Sequence, residues 1–167
     1  AVERDAEETS TEEIHADSPL VALAVLPACK TMSSEELKAS IEIVDYSSAW
    51  VSKLPGNSLG KMVRNRAREL GVDTSHVVFS DQGRQGLYFV EYGAAPRASS
   101  VLYDRANSAI SLIQPQEVDW KKILSKAKLF HVSGITPALS ASAAETTAAA
   151  MKAAKEAGCL VSYDLNY

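Results

Sequence analysis

Three residues in the middle of the chain combine types that suit recognition of a small anion: Tyr88, Tyr103 and Arg105. Arginine offers a planar fork that matches a carboxylate. Tyrosine places a hydrogen-bonding hydroxyl beside an apolar ring. The three fall in one stretch, Arg84 to Arg105. Within it Gly86–Tyr92 and Ser100–Arg105 alternate with period two and are rich in aromatic and β-branched residues, which predicts a hairpin. Gly93 and Pro96 punctuate the loop between them. Side chains two apart share a face of a strand. Tyr88, Val90 and Tyr92 therefore point one way, and Leu87, Phe89 and Glu91 the other. Val101, Tyr103 and Arg105 line up together on the second strand. Such a hairpin could grip a polyhydroxylated anionic molecule. The plainer alternative is an amphipathic sheet with no ligand. A second polar pair, Asp164 and Asn166, ends an apolar run near Tyr167. It could hold a ligand or a cation, or only start a loop, as Asp and Asn often do.

These residues need a frame. The chain has 167 residues with 46% hydrophobic content, enough for one domain or part of a larger one. Residues 1–17 carry seven acidic residues against Arg4, a net charge of −6, and the other 150 carry about +2. The first segment reads as a disordered acidic tail. The nearly neutral remainder, residues 18–167, gives no support for nucleic-acid binding. No apolar run approaches the roughly 20 residues that span a bilayer, and no signal-peptide pattern is visible. Cys29 and Cys159 lie far apart, which favours free thiols in a reducing compartment over a single disulfide. That compartment is expected to be the cytoplasm or an organellar matrix or stroma. His15, His76 and His131 show no metal-ligand spacing. His131, inside an apolar run, reads as a hydrogen-bonded core residue.

Strands and helices alternate along residues 18–167. Residues 19–26 read as a strand buried on both faces. Ser33 and Glu36 form a capping box ahead of a helix over about 34–43. A strand is expected at 50–54. A helix follows at 58–70, with Leu59, Met62, Val63, Ala67 and Leu70 as its inward stripe and Gly71 as its stop. Gly56–Lys61 is not a phosphate loop: three residues separate its glycines instead of four, and Met62 follows the lysine. Further on come a strand at 76–79, the hairpin, the apolar run Ile110–Leu112 and a helix near 116–126. A strand at 129–133 precedes a loop at Thr136–Pro137. An alanine-rich helix over 141–157, capped by Ser142 with Glu145, leads to a strand at 160–164. This order predicts an α/β fold with a mostly parallel sheet. Ligands in such sheets sit beyond the carboxyl ends of the strands, where Ser133–Gly134 and Asp164–Asn166 fall.

The segments WVSKLPGNSLGKMV, GVDTSHVVFSDQGRQGLYFVEYGAAPRASSVLYDRANSA, LFHVSGITPALS and LVSYDLNY, in this order, resemble the PfkB (ribokinase-like) sugar kinases over about residues 49–167. Within that family they are most similar to 2-keto-3-deoxygluconate kinases. The resemblance implies a three-layer α/β/α domain with a small β lid, here the hairpin at about 85–105, that closes over a sugar acid and often supports dimerisation. It implies ATP and Mg²⁺ as co-substrate and metal. It places Tyr88, Tyr103 and Arg105 among lid residues that touch substrate, and Asp164 and Asn166 beside the phosphoryl-transfer site.

Four features depart from the family pattern. No glycine lies between Leu23 and Ala49, where the family carries Gly-Gly-x-x-x-Asn. That span is also short. The 167 residues contain no Gly-Ala-Gly-Asp motif, which in the family supplies an anion hole and an aspartate base. The arginine that follows the DLNY segment in the family is absent. Two expectations follow. One is a partial sugar-acid kinase, inactive as these residues alone. The other is a degenerate kinase domain serving as a structural or interaction subunit of a larger assembly.

Overall fold

The computed structural model describes residues 20–25 and 47–166. The acidic tail, Cys29 and the helix expected at 34–43 lie outside the described residues. Four strands make a parallel sheet in the order β2-β1-β7-β8. They are β1 (Leu20–Val25), β2 (Ser47–Trp50), β7 (Leu129–Ser133) and β8 (Leu160–Asp164). Two smaller sheets hold the other strands of the described residues. β3 (Ser52–Pro55) pairs in parallel with β4 (Val77–Ser80). β5 (Leu87–Glu91) pairs antiparallel with β6 (Ser100–Asp104).

The strand expected at 50–54 is in fact two. β2 and β3 meet at Val51, where the chain leaves one sheet and enters the other. All residues from Ala49 to Pro55 are buried, Ser52 and Lys53 included. Lys53 is only 7% exposed. Its ammonium donates to Glu117 Oε1 and Oε2 at 2.7 and 2.9 Å and to the Leu112 carbonyl at 3.1 Å. A buried lysine with those partners keeps its charge satisfied.

Helix α1 (Ser58–Glu69) starts where Asn57 Oδ1 accepts from the amides of Leu59 and Gly60, both at 3.1 Å. A side chain at Gly60 would place Cβ 2.0 Å from the Pro55 carbonyl oxygen. The two conspicuous residues of the rejected phosphate loop thus serve capping and close packing. Gly71 ends the helix region with φ +79°, a conformation that favours glycine. The inward stripe expected on α1 is only partly realised. Val63, Ala67 and Leu70 are half-buried, but Leu59 is 47% and Met62 60% exposed. The helix meets its neighbours around buried Gly60 and not along the whole stripe.

The remaining helices among the described residues are α2 (Trp120–Leu124), α3 (Ile135–Ala138) and α4 (Ala141–Glu156). Ile110–Leu112 belongs to a buried 3-10 turn (Ala109–Leu112), and the helix expected near 116–126 divides into a 3-10 turn (Pro115–Glu117) and α2. Asp119 causes that division: its carboxylate caps α2 by accepting from the Lys122 amide at 3.1 Å. Thr136–Pro137, expected as loop, lies in α3. Proline is tolerated there because the first turn of a helix leaves its amides unbonded anyway. The cap of α4 is Ser140 and not Ser142, since Ser140 Oγ accepts from the Ala143 amide at 3.1 Å.

Helix α4 covers the core through Ala143, Thr146, Thr147, Ala150 and Ala154, all buried and spaced by three and four. Small side chains let it approach closely. Both threonine hydroxyls donate to the carbonyl one turn back at 2.8 Å, so neither is left unpaired. Beneath lie Ile113, Leu124, Phe130 and Val132, each fully buried, with Trp120 edge-on to Phe130 at 6.1 Å between ring centres. His131 is a hydrogen-bonded residue, its Nδ1 3.0 Å from Ser162 Oγ on the neighbouring strand. Cys159 is a free buried thiol whose Sγ lies 3.2 Å from the Ala127 carbonyl, and burial raises its pKa. No helix among the described residues is long and apolar enough to cross a membrane.

Phe130 is the largest fully buried side chain among the described residues. Phe130→Ala is expected to lower unfolding stability by about 3–5 kcal/mol. Urea denaturation checks this; a loss below about 1 kcal/mol would show that the site collapses around the deletion.

Candidate functional site

The hairpin register carries the first part of the site. Tyr88 sits opposite Tyr103 and Val90 opposite Val101, which puts these four on one face, while Phe89 opposes Leu102 on the other. The two tyrosine rings tilt against each other at 40° with centres 6.4 Å apart. One residue beyond β6, the Arg105 guanidinium lies over the Tyr103 ring, 4.2 Å from its centre. Stacking of this kind orients the fork while leaving its in-plane donors available. Arg84 and Arg97 are each tied to a carboxylate, Arg84 to Asp104 and Arg97 to Glu91. No carboxylate among the described residues pairs with Arg105. The Arg84–Asp104 pair clamps the root of the hairpin. The same root is fastened by backbone bonds from Arg84 N to the Asn107 carbonyl at 3.2 Å and from Ala109 N to the Arg84 carbonyl at 2.8 Å. Arg105 is thus held between two anchored segments.

The second part is the joint of β7 and β8, where Ser133 pairs with Asp164. Asp164 accepts from the Asn166 amide and side chain, both at 3.0 Å, and Asn166 Nδ2 also donates to Ser133 Oγ at 2.7 Å. Asn166 has φ +56°, a left-handed conformation that asparagine tolerates. Most of this pair's polar capacity is therefore spent on building the turn. Gly134 N donates to the Asp164 carbonyl at 2.7 Å. A Cβ at Gly134 would come within 2.8 Å of the Leu165 carbonyl oxygen. Glycine is required here by close approach.

Arg105 joins the two parts. It borders an open cleft of about 570 Å³ together with Gly134, Ile135, Leu139 and Asn166. It also borders a smaller chamber of about 40 Å³, with Tyr88, under the hairpin root. Of the five residues singled out in the sequence, Arg105 and Asn166 share the cleft and Arg105 and Tyr88 the chamber. Tyr103 lines neither and supports Arg105 from beneath; Asp164 lines neither and holds Asn166. Ile135 and Leu139 border both cavities and were not foreseen, because the region around Pro137 read as loop. Ser52 and Ser108, also on the chamber wall, were not singled out in the sequence. No group of three or more His, Cys, Asp or Glu among the described residues could hold a metal ion.

Residues 44–167 match the model of the pfkB family carbohydrate kinases. The chain belongs to this family. It is 45% identical over 121 residues to a 2-dehydro-3-deoxygalactonokinase of Haloferax volcanii, covering 72% of this chain and 37% of that relative. It is 35% identical over 94 residues to a 2-dehydro-3-deoxygluconokinase of Thermoproteus tenax, covering 56% of this chain and 29% of that one. Among solved structures, the 2-dehydro-3-deoxygluconokinase of Thermotoga maritima superposes with a TM-score of 0.74 at 34% identity, covering 90% of this chain and 51% of the other. A putative ribokinase II of E. coli in complex with ATP and Mg²⁺ shares the fold, with a TM-score of 0.68 at 17% identity over 89% of this chain and 53% of that one. The α/β, ribokinase-like fold expected for this chain is thus present, and the chain spans about two-fifths of the length of its first curated relatives.

Gly134→Ala is expected to displace the 164–166 turn and destabilise the chain by about 1–3 kcal/mol. Chemical denaturation checks the loss, and the Asn166 side-chain amide resonances check the displacement. Unchanged resonances would show that the turn absorbs the methyl group.

Proposed function

We propose that these residues form the sugar-acid-gripping part of an ATP-dependent kinase for 2-keto-3-deoxy sugar acids. The observation that carries the reading is Arg105: a guanidinium without a carboxylate partner among the described residues, stacked on Tyr103 and bordering both cavities. A hydroxy-keto carboxylate supplies what that arrangement lacks, an anion for the fork and hydroxyls for Tyr88 and Tyr103. A charge-assisted hydrogen bond is worth about 1.5–3 kcal/mol. The relatives named as 2-dehydro-3-deoxy sugar-acid kinases support the substrate class. Asn166, in this reading, closes the far side of the cleft from the strand ends, and Asp164 fixes its orientation.

ATP and Mg²⁺ enter the proposal for the whole protein. Among the described residues no group of three or more His, Cys, Asp or Glu could hold a metal ion by itself, whereas Mg²⁺ is commonly held by one or two carboxylates together with substrate phosphates. Phosphoryl transfer depends on positioning and on charge stabilisation. In this reading that machinery comes from residues outside the 167, in the same protein or in a partner chain. The buried thiol of Cys159 fits a reducing compartment.

A second reading, a degenerate kinase domain acting as an interaction subunit, draws on the outer face of the hairpin. There Phe89 is 55% and Leu102 67% exposed. The same face would serve a homodimer formed through the lid.

Titration of the 167-residue chain with 2-keto-3-deoxygluconate, followed by calorimetry, tests the first reading. Saturable binding is expected, weakened roughly 10- to 100-fold in Arg105→Ala. Absence of binding, or an unchanged affinity in Arg105→Ala, would refute it. With Mg·ATP added, the same chain is expected to form no phosphorylated product. Product that is lost in Arg105→Ala would place the whole reaction within these residues.

A further inference from the structure

The open cleft beside Arg105 is apolar along most of its border. Six of the described residues on it carry no polar side-chain atom: Ala106, Gly134, Ile135, Ala138, Leu139 and Leu165. The other two are Arg105 and Asn166. Helix α3 and the residue after it supply Ile135, Ala138 and Leu139. Leu165 and Ala138 are exposed, and Ile135 and Leu139 are half-buried. The backbone of this wall adds few donors. The Gly134 amide is committed to the Asp164 carbonyl at 2.7 Å and the Leu139 amide to the Thr136 carbonyl at 3.1 Å. The Ile135 amide is committed to Ser133 Oγ at 3.2 Å.

Asn166 is limited in the same way. Both hydrogens of its side-chain amide are used, one on Ser133 Oγ at 2.7 Å and one on Asp164 at 3.0 Å. Asp164 fixes that orientation, because a carboxylate can only accept. What Asn166 keeps is Oδ1, an acceptor. Among the described residues on the cleft, Arg105 is therefore the one side chain with donors to offer, and the ligand's carboxylate claims it. A hydroxyl set against α3 would meet no polar side chain of that helix. Burying a hydroxyl without a partner is unfavourable. A methylene in the same place gives up no hydrogen bond and covers apolar surface of Ile135. The wall suits a ligand whose chain carries a carbon without a hydroxyl close to its carboxylate end.

We propose that Ile135, with Ala138 and Leu139 beside it, selects the deoxygenated carbon of the ligand whose carboxylate Arg105 holds. The cleft then distinguishes a 2-keto-3-deoxy sugar acid from the 2-keto acid that bears a hydroxyl on that same carbon. The inference rests on the sugar-acid reading above and deepens it, because it assigns this discrimination to the wall formed by α3 and not to the tyrosines of the lid.

Two probes differ at that carbon alone: 2-keto-3-deoxygluconate, and 2-ketogluconate, which has a hydroxyl at C3. Dissociation constants for both are measured by calorimetry on the 167-residue chain and on Ile135→Val, Ile135→Thr and Arg105→Ala. The parent chain is expected to bind the deoxy acid about 10- to 100-fold more tightly, the range over which an apolar pocket rejects an added hydroxyl. Valine and threonine are close in shape and differ by a hydroxyl. Ile135→Val is expected to weaken both probes alike and keep their ratio within about twofold. Ile135→Thr, which offers a hydroxyl partner, is expected to cut the ratio by about fivefold or more. Arg105→Ala weakens both probes. A ratio near one in the parent, or the same ratio in the two Ile135 variants, refutes the selecting wall; if Arg105→Ala still weakens both probes, the sugar-acid reading stands. If the parent binds neither probe, or Arg105→Ala changes neither, both fall together. Thermal melting guards against a folding artefact. If Ile135→Thr melts well below Ile135→Val, Ala138→Ser takes its place at an exposed position and is judged by the same fall in ratio.

Discussion

A lysine ammonium taken out of water costs several kcal/mol unless good partners meet it in place. Lys53 imposes that condition on the middle of this chain. It lies in β3, and its partners, Glu117 and the Leu112 carbonyl, lie about sixty residues away. Satisfying it fixes the path from Ala109 to Glu117. Glu117 passes the restraint on, because its carboxylate also accepts from the Gln114 amide at 2.8 Å. That path carries Ser111, whose carbonyl accepts from the Ser140 hydroxyl at 2.6 Å beside the start of α4. One desolvated charge therefore ties together β3, the segment leaving the hairpin and the helix that covers the core. The floor of the candidate site is built on these elements.

Above that floor the arginines divide into two kinds. Arg84 is consumed by Asp104 and pins the hairpin to the body. Arg105, twenty-one positions later, has no carboxylate partner among the described residues and rests on an aromatic face. The contrast is a matter of strand alternation. Asp104 and Arg105 are consecutive and point to opposite sides, so the residue that anchors the hairpin cannot neutralise the one that faces the cavities. The turn at Asp164–Asn166 behaves in a complementary way. It spends its polar groups on its own shape and presents a fixed edge to the cleft.

The hairpin was legible because period two survives any context that keeps one face packed, and its facing tyrosines followed from it. The end of α1 was legible in Gly71, and the alanine run of α4 in its composition. Other features were hidden for physical reasons. The cap of α4 depended on where the chain turns, which two serines two residues apart cannot reveal. Pro137 read as a breaker, yet a first helical turn accepts it. Burial of Ser52 and Lys53 depended on a partner sixty residues away, so a run that reads as partly polar became one of the most enclosed in the molecule. The stripe on α1 was real as a pattern, but only part of it found cover among the described residues. At the candidate site, Arg105 and the tyrosines could be named from the sequence. The chamber behind them could not, since its wall is drawn from four separated segments.

The passage of one continuous run, Ser47–Pro55, from the four-stranded sheet into the two-stranded one has a consequence for how this chain tolerates change in length. Every residue from Ala49 to Pro55 is buried, so this run has no exposed side on which a displaced side chain could be accommodated. Loss or gain of one residue at this junction would not be absorbed as a loop would absorb it. It would turn Lys53 away from Glu117 and displace Ala49 and Val51 from their places in the core. The junction should be among the places in the molecule least permissive of insertion or deletion.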